Sequence, residues 1–176
     1  MAAIESIEAE RRWYAVRTRS NFEHKAHAYC SDHDLESFLP TYRSRSRRHG
    51  GPAYLERPLF PGYFFARVDV RLPERLAVLR APGTVEFVRF GSRAAAIPDE
   101  EIESVRIVSR PGSGAAPHPF LREGMRVRVV AGPFAGAEGI LVKTSDRQAK
   151  LVVSIVILGR SVGVPIEPEA IEPAVN

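Results

Sequence analysis

His24, His27, Cys30 and His33 stand at successive three-residue steps, the one set of metal-ligating residue types at a regular spacing. On an α-helix each step turns the side chain by about 300°, so the four fan over roughly half the circumference. A tetrahedral site needs four convergent ligands, or three and a water. We read them instead as a solvated helix face with a half-buried cysteine, on which His24 and the adjacent Lys25 are free to meet phosphate. Glu100, Glu101 and Glu103 have the types of a glycosidase carboxylate pair, but they follow Pro98, and acid in a first helical turn is accounted for by the macrodipole. Gly132-Pro-Phe-Ala-Gly-Ala-Glu-Gly139 lacks the Gly-Lys-Ser/Thr ending of a phosphate loop and leads into a strand, so it reads as a β-turn. Gly112-Ser113-Gly114 has no strand before it and is no nucleophile elbow. No catalytic constellation, metal or cofactor is expected, and a metal-dependent hydrolase has no residues behind it.

The chemistry on offer is that of binding. Arg57-Pro-Leu-Phe-Pro-Gly-Tyr-Phe-Phe-Ala-Arg-Val-Asp69 is the densest aromatic run of the N-terminal half. Side chains alternate across a strand, so Tyr63, Phe65 and Arg67 share one face while Gly62, Phe64, Ala66 and Val68 share the other. A strand apolar on both faces needs two covers, the second being either another layer of this chain or a partner. The formal charge of +4 leans basic, which suits nucleic acid or an acidic surface. A single cysteine, Cys30, excludes an internal disulfide. No apolar run approaches the roughly 20 residues of a membrane span, and the acidic opening lacks a signal peptide's regions; we expect a cytoplasmic monomer.

These residues must be positioned by elements, and the chain supplies them in order. Residues 1–10 read as a loose leader. A strand at 13–18 is followed by a helix capped by Ser20 or Asn21, with Phe22, Ala26 and Tyr29 as its stripe and Asp34 at its end. Residues 37–42 resume as a strand, and 43–52 have the composition of an exposed, one-signed loop. A helix follows Pro73, with Leu72, Leu76 and Leu79 as its stripe, then a strand at 85–90, then a helix opened by Pro98 that buries Ile102 with Val105 or Val108. Residues 110–120 read as a proline-flanked linker. From 121 the period becomes that of strands, at 125–130, 139–144, 151–157 and 162–166, describing a small closed or nearly closed β-barrel. The expectation is α+β: an N-terminal α/β sandwich with an antiparallel sheet at 11–109, the linker at 110–120 and a barrel domain at 121–176.

The ordered set Trp13-Tyr14-Ala-Val, Phe60-Pro61-Gly62-Tyr63, Phe87-Val-Arg-Phe90-Gly91 and Ile97-Pro98-x-x-x-Ile102, then Gly124-x-x-Val127-x-Val129-x-x-Gly132-Pro133-Phe134-x-Gly136-x-x-Gly139 and Leu158-Gly159-Arg160, resembles the family of NusG and its specialised paralogues such as RfaH. It runs from about Arg12 to Pro173, and implies an NGN domain followed by an SH3-like KOW domain. The resemblance implies a transcription elongation and antitermination factor whose sheet docks on the clamp helices of RNA polymerase's largest catalytic subunit. The matching residues are Phe60, Pro61, Tyr63 and Phe65, with Phe87, Phe90 and Ile102 as rim or support. Basic residues near that face, Arg17, Arg19, His24, Lys25 and Arg80, with Arg43, Arg45, Arg47 and Arg48 of the loop, are expected to meet DNA in the transcription complex, in a salt-dependent way. Ile157 and Leu158, at the barrel turn where relatives often carry an aromatic, would contact a small-subunit ribosomal protein or a termination factor. Leu-Phe-Pro-Gly and Phe-Val-Arg-Phe-Gly are worded like the operon-specific antiterminators. Arg57 stands where the fold-switching paralogue carries an acid that ties its domains together, so autoinhibition by that route is not expected. The alternative is a ribosome-associated KOW protein that binds RNA.

Overall fold

The computed structural model describes residues 10–46, 53–71, 73–118, 124–145, 148–167 and 170–174. Its elements run β1 (Arg12–Thr18), α1 (Glu23–Asp32), β2 (Ser37–Phe38), β3 (Thr41–Ser46), β4 (Ala53–Pro58), β5 (Tyr63–Val68), α2 (Pro73–Leu79), β6 (Thr84–Phe87), β7 (Arg89–Phe90), β8 (Arg93–Ala94), β9 (Ala96–Ile97) and α3 (Asp99–Val108). There follow β10 (Ala116–His118), β11 (Arg126–Val129), β12 (Glu138–Ser145), β13 (Gln148–Ile155), a 3-10 turn (Val156–Leu158), β14 (Arg160–Ile166) and β15 (Ile171–Pro173). The aromatic run becomes β5, whose antiparallel partner β1 sets Ala15 opposite Phe65 and Val16 opposite Phe64. The first sheet has the order β2-β5-β1-β6, and β9 pairs with the opening of β1.

Alternation along β1 and β5 gives each face of the sheet its own core. Tyr14, Val16, Phe64, Ala66 and Val68 pack with Ala26 and Cys30 of α1 and Val78 of α2. Burial pushes the Cys30 thiol up to about 11. Trp13, Ala15 and Phe65 face the other way, onto Ile102 and Val105 of α3. That second core does not stop at α3; it continues into Val127, Val129, Leu151, Val153 and Val162 of the second sheet. The second cover demanded by a two-faced strand is therefore this chain's own third helix and second sheet.

The second sheet is antiparallel, in the order β10-β14-β13-β12-β11-β15, and among the described residues no ladder joins β10 to β15. Its outer strands are the two that alternation did not predict. Part of the glycine-proline stretch read as linker pairs as β10, with Pro117 opposite Val162, and the terminal β15 sets Ile171 opposite Val129. Other local expectations shift as well. The segment read as a loop contributes Arg43 to Ser46 to a hairpin, β3 with β4. Neither Ser20 nor Asn21 caps α1, whose N-cap position is Phe22 with no side-chain cap, while Asn21 takes a left-handed φ of 65°. Helix α2 buries Val78, and Leu76 is left exposed.

Candidate functional site

Phe60, Pro61, Gly62 and Tyr63 form a tight turn in which the Tyr63 N–H donates to the Phe60 carbonyl at 3.0 Å. Proline at the second position and glycine at the third, with φ of 85°, are the residues that a type II turn requires. The turn is pinned from two sides. Its Gly62 N–H donates to Oε1 of Glu23 at 2.7 Å, and its Gly62 carbonyl accepts from the Thr18 N–H at 2.8 Å. Glu23, almost fully buried, is a positioning residue that sequence reasoning missed, because an acid in a first helical turn is already accounted for by the helix dipole.

The seven residues expected at the polymerase face are dispersed by the fold. Phe60 is 1% exposed and Phe65 0%, and their rings meet edge to face at 5.5 Å. Ile102 is buried with them from α3. Phe87 lies on the opposite side of the sheet, edge-on to Tyr14 at 6.0 Å. Alternation explains this, since Phe87 pairs with Val16 and so shares its face. Phe90 is 81% exposed on the β7–β8 hairpin. Pro61 is exposed and Tyr63 half-buried, so of the docking motif only the turn itself reaches the surface.

Over Tyr63 sits Arg160, the first residue of β14, with its guanidinium carbon 5.2 Å from the ring centroid. Other contacts tie the second sheet to α3. The Glu138 N–H donates to Ser104 Oγ at 3.1 Å, and the Val156 N–H donates to Glu101 Oε2 at 3.2 Å. Burial raises the Glu101 carboxyl above the ordinary value, against the lowering effect of that bond. Arg110 donates to the Pro133 carbonyl at 3.3 Å. Arg57 is exposed on β4, and the two parts are joined by these contacts from α3 and the segment after it. Leu158, expected at a partner contact, is half-buried and packs against the same continuous core; the side chain of Ile157 lies outside the described residues.

The expected DNA-contacting residues fall into groups. The Arg19 N–H donates to the Gly83 carbonyl at 2.8 Å, which ties the end of β1 to the turn after α2; Arg80 is exposed just beyond that helix. Lys25 lies 5.2 Å over the Phe22 ring, and His24 is exposed beside it. Arg17 is drawn to Glu86 at 2.8 Å, and Glu86 also holds Arg89 at 3.2 Å; bonds to the two arginines keep its carboxyl below the usual range. Arg43 stands apart on β3, 5.2 Å over the Tyr54 ring. The side chain of Arg45 and all of Arg47 and Arg48 lie outside the described residues. Of the histidine set, His27 Nδ1 is 2.8 Å from Ser37 Oγ and His33 stacks on Tyr29 at 3.9 Å. Cys30 is turned into the core, and among the described residues no cluster could hold a metal ion.

Residues 11–106 match the family model described as NusG, transcription termination factor. The transcription termination/antitermination protein NusG of Thermus thermophilus is 32% identical over 173 residues, covering 88% of this chain and 94% of that protein. NusG of Escherichia coli K12 is 28% identical over 176 residues, covering 94% of this chain and 97% of that protein. A solved structure described as domain interaction in Thermotoga maritima NusG aligns with a TM-score of 0.55 at 20% identity, over 94% of this chain and 98% of its own, a likeness of fold. With the family model spanning more than half the chain and relatives matching nearly all of it, this chain belongs to the NusG family of transcription termination and antitermination factors.

Proposed function

We propose that this chain is a transcription elongation and antitermination factor that binds RNA polymerase through the Phe60–Tyr63 turn and the sheet face behind it. The observation that carries the reading is the turn itself, a Pro-Gly corner pinned by Glu23 that holds a half-buried tyrosine at the chain's surface. Aromatic anchors of this kind dominate interface energies, and the clamp helices of the largest subunit are the partner that the family resemblance implies. With Arg160 over the Tyr63 ring and the second sheet packed on α3, polymerase docking on this face competes with the chain's own cover. Binding therefore requires Arg160 to move aside, and full use of Phe65 requires α3 and the second sheet to move with it.

Arg19, Lys25, His24 and Arg80 then face DNA of the transcription complex, and Leu158 serves a second partner, a ribosomal protein or termination factor, once released from its own packing. The test is transcription by purified polymerase through a pause site and a terminator. The full chain should change the fraction of transcripts that read through, and an unchanged transcript pattern at saturating protein would count against the proposal.

A further inference from the structure

Residues 1–9 read Met-Ala-Ala-Ile-Glu-Ser-Ile-Glu-Ala, with two isoleucines, two carboxylates and no basic side chain. The described chain begins just after them, and its first residues are anchored beside α2. The Glu10 N–H donates to Asp69 Oδ2 at 3.1 Å, and Arg11 is paired with Glu74 in the first turn of α2. Next in sequence to these two anchors stand Val70 and Arg75, and both line a groove of about 590 Å³ between α2 and the β6 edge. The chain therefore leaves the described structure beside this groove.

Leu79, Val85, Arg89 and Arg93 complete the surface that matters here. Val85 is 43% exposed and Leu79 half-buried, so apolar area lies beside guanidinium groups. The one carboxylate in the lining, Glu86, is already engaged by Arg17 and Arg89, and among the described residues none lies within ion-pair distance of Arg75 or Arg93. The groove thus lacks anions and cover, and the adjoining segment has carboxylates and apolar side chains to supply both. Its volume is that of a ligand pocket, which takes a few side chains of a peptide and no folded partner. Nine extended residues reach about 30 Å, and a short flexible tether gives an effective concentration on the order of millimolar, so individually weak contacts are enough.

We propose that residues 1–9 fold back along this groove, with Ile4 and Ile7 on Val70, Leu79 and Val85 and with Glu5 and Glu8 toward Arg75 and Arg93. The chain then carries its own acidic cover for this basic surface, which another anionic ligand must displace. The groove adjoins the core on the α1/α2 side of the sheet, so this cover is separate from the one over Tyr63 and stands whether or not the chain binds polymerase. The experiment places a nitroxide spin label on Ala3→Cys of the full chain and reads the broadening of methyl resonances by NMR; Cys30 is buried and stays unlabelled. The methyls of Leu79 and Val85 should broaden far more than those of Val153 in the second sheet, at a level independent of protein concentration and reduced at high salt. Glu5→Lys with Glu8→Lys should abolish the broadening, and Arg75→Glu with Arg93→Glu in that same chain should restore it. The proposal is overturned if Leu79 and Val85 broaden no more than Val153, if the two lysines leave the effect unchanged, or if the reversed charges fail to restore it. Broadening that grows with concentration would also overturn it, since a second copy would then be the occupant.

Discussion

Tyr63 and Phe65 lie two residues apart on one face of β5, yet they differ in what their removal should do. Phe65 is enclosed by Phe60, Phe38 and the core under α3, so Phe65→Ala should leave a cavity and lower stability by about 3–5 kcal/mol, read by chemical denaturation. Tyr63 keeps part of its ring at the surface, and Tyr63→Ala should cost far less stability. Glu23→Ala should cost about 1–3 kcal/mol, because it strips the acceptor from the part-buried N–H of Gly62; a denaturation midpoint equal to wild type would contradict this role. Which face each aromatic takes was legible from alternation, and Phe65 and Phe64 obey it. Depth was not legible. The sequence can assign Tyr63 and Phe65 to one face, but only the docked α3 and second sheet decide which of them remains in contact with solvent.

Helix α3 is the element on which the two sheets meet, and its Glu101 carries a pH dependence. Burial raises that carboxyl, so the group favours the folded chain most below its ordinary value of 4.5, and that contribution is lost as pH rises through the raised value. Glu101→Gln keeps an acceptor for the Val156 N–H without the charge. It should match wild type near pH 4 and exceed it in thermal stability near pH 7; a difference that is constant across this range would contradict the assignment. Sequence periodicity found α3, its acidic first turn and its buried Ile102 and Val105. It could not show that Ser104 and Glu101, polar residues on an amphipathic helix, meet backbone donors from residues 138 and 156. The same limit applies to the outer strands of the second sheet. In β10 and β15 prolines and short length mask the alternation, and the pairing itself makes them strands.

Across the whole molecule the turn and the basic residues are neighbours: Arg17 pairs with Tyr63 in the β1–β5 register, and the turn is held between Thr18 and Glu23, next in sequence to Arg19 and His24. The motifs that carry the resemblance lie close together in sequence, whereas the contacts between the parts join distant positions, Ser104 with Glu138, Glu101 with Val156, and Tyr63 with Arg160. Arg160→Ala removes the cation over the ring and should strengthen binding of the full chain to the clamp-helix fragment by a few-fold, since a cation–π contact at a half-exposed ring is worth roughly 0.5–1 kcal/mol. Equal or weaker binding would mean that Arg160 does not act as a cover. The most direct test of the central claim is the affinity of the full chain for that fragment, wild type beside Tyr63→Ala. The account predicts binding by the wild type and a loss of about 2 kcal/mol in the variant, with its thermal unfolding near that of wild type. A folded Tyr63→Ala chain that binds as tightly as wild type, or a wild type that does not bind, would contradict it.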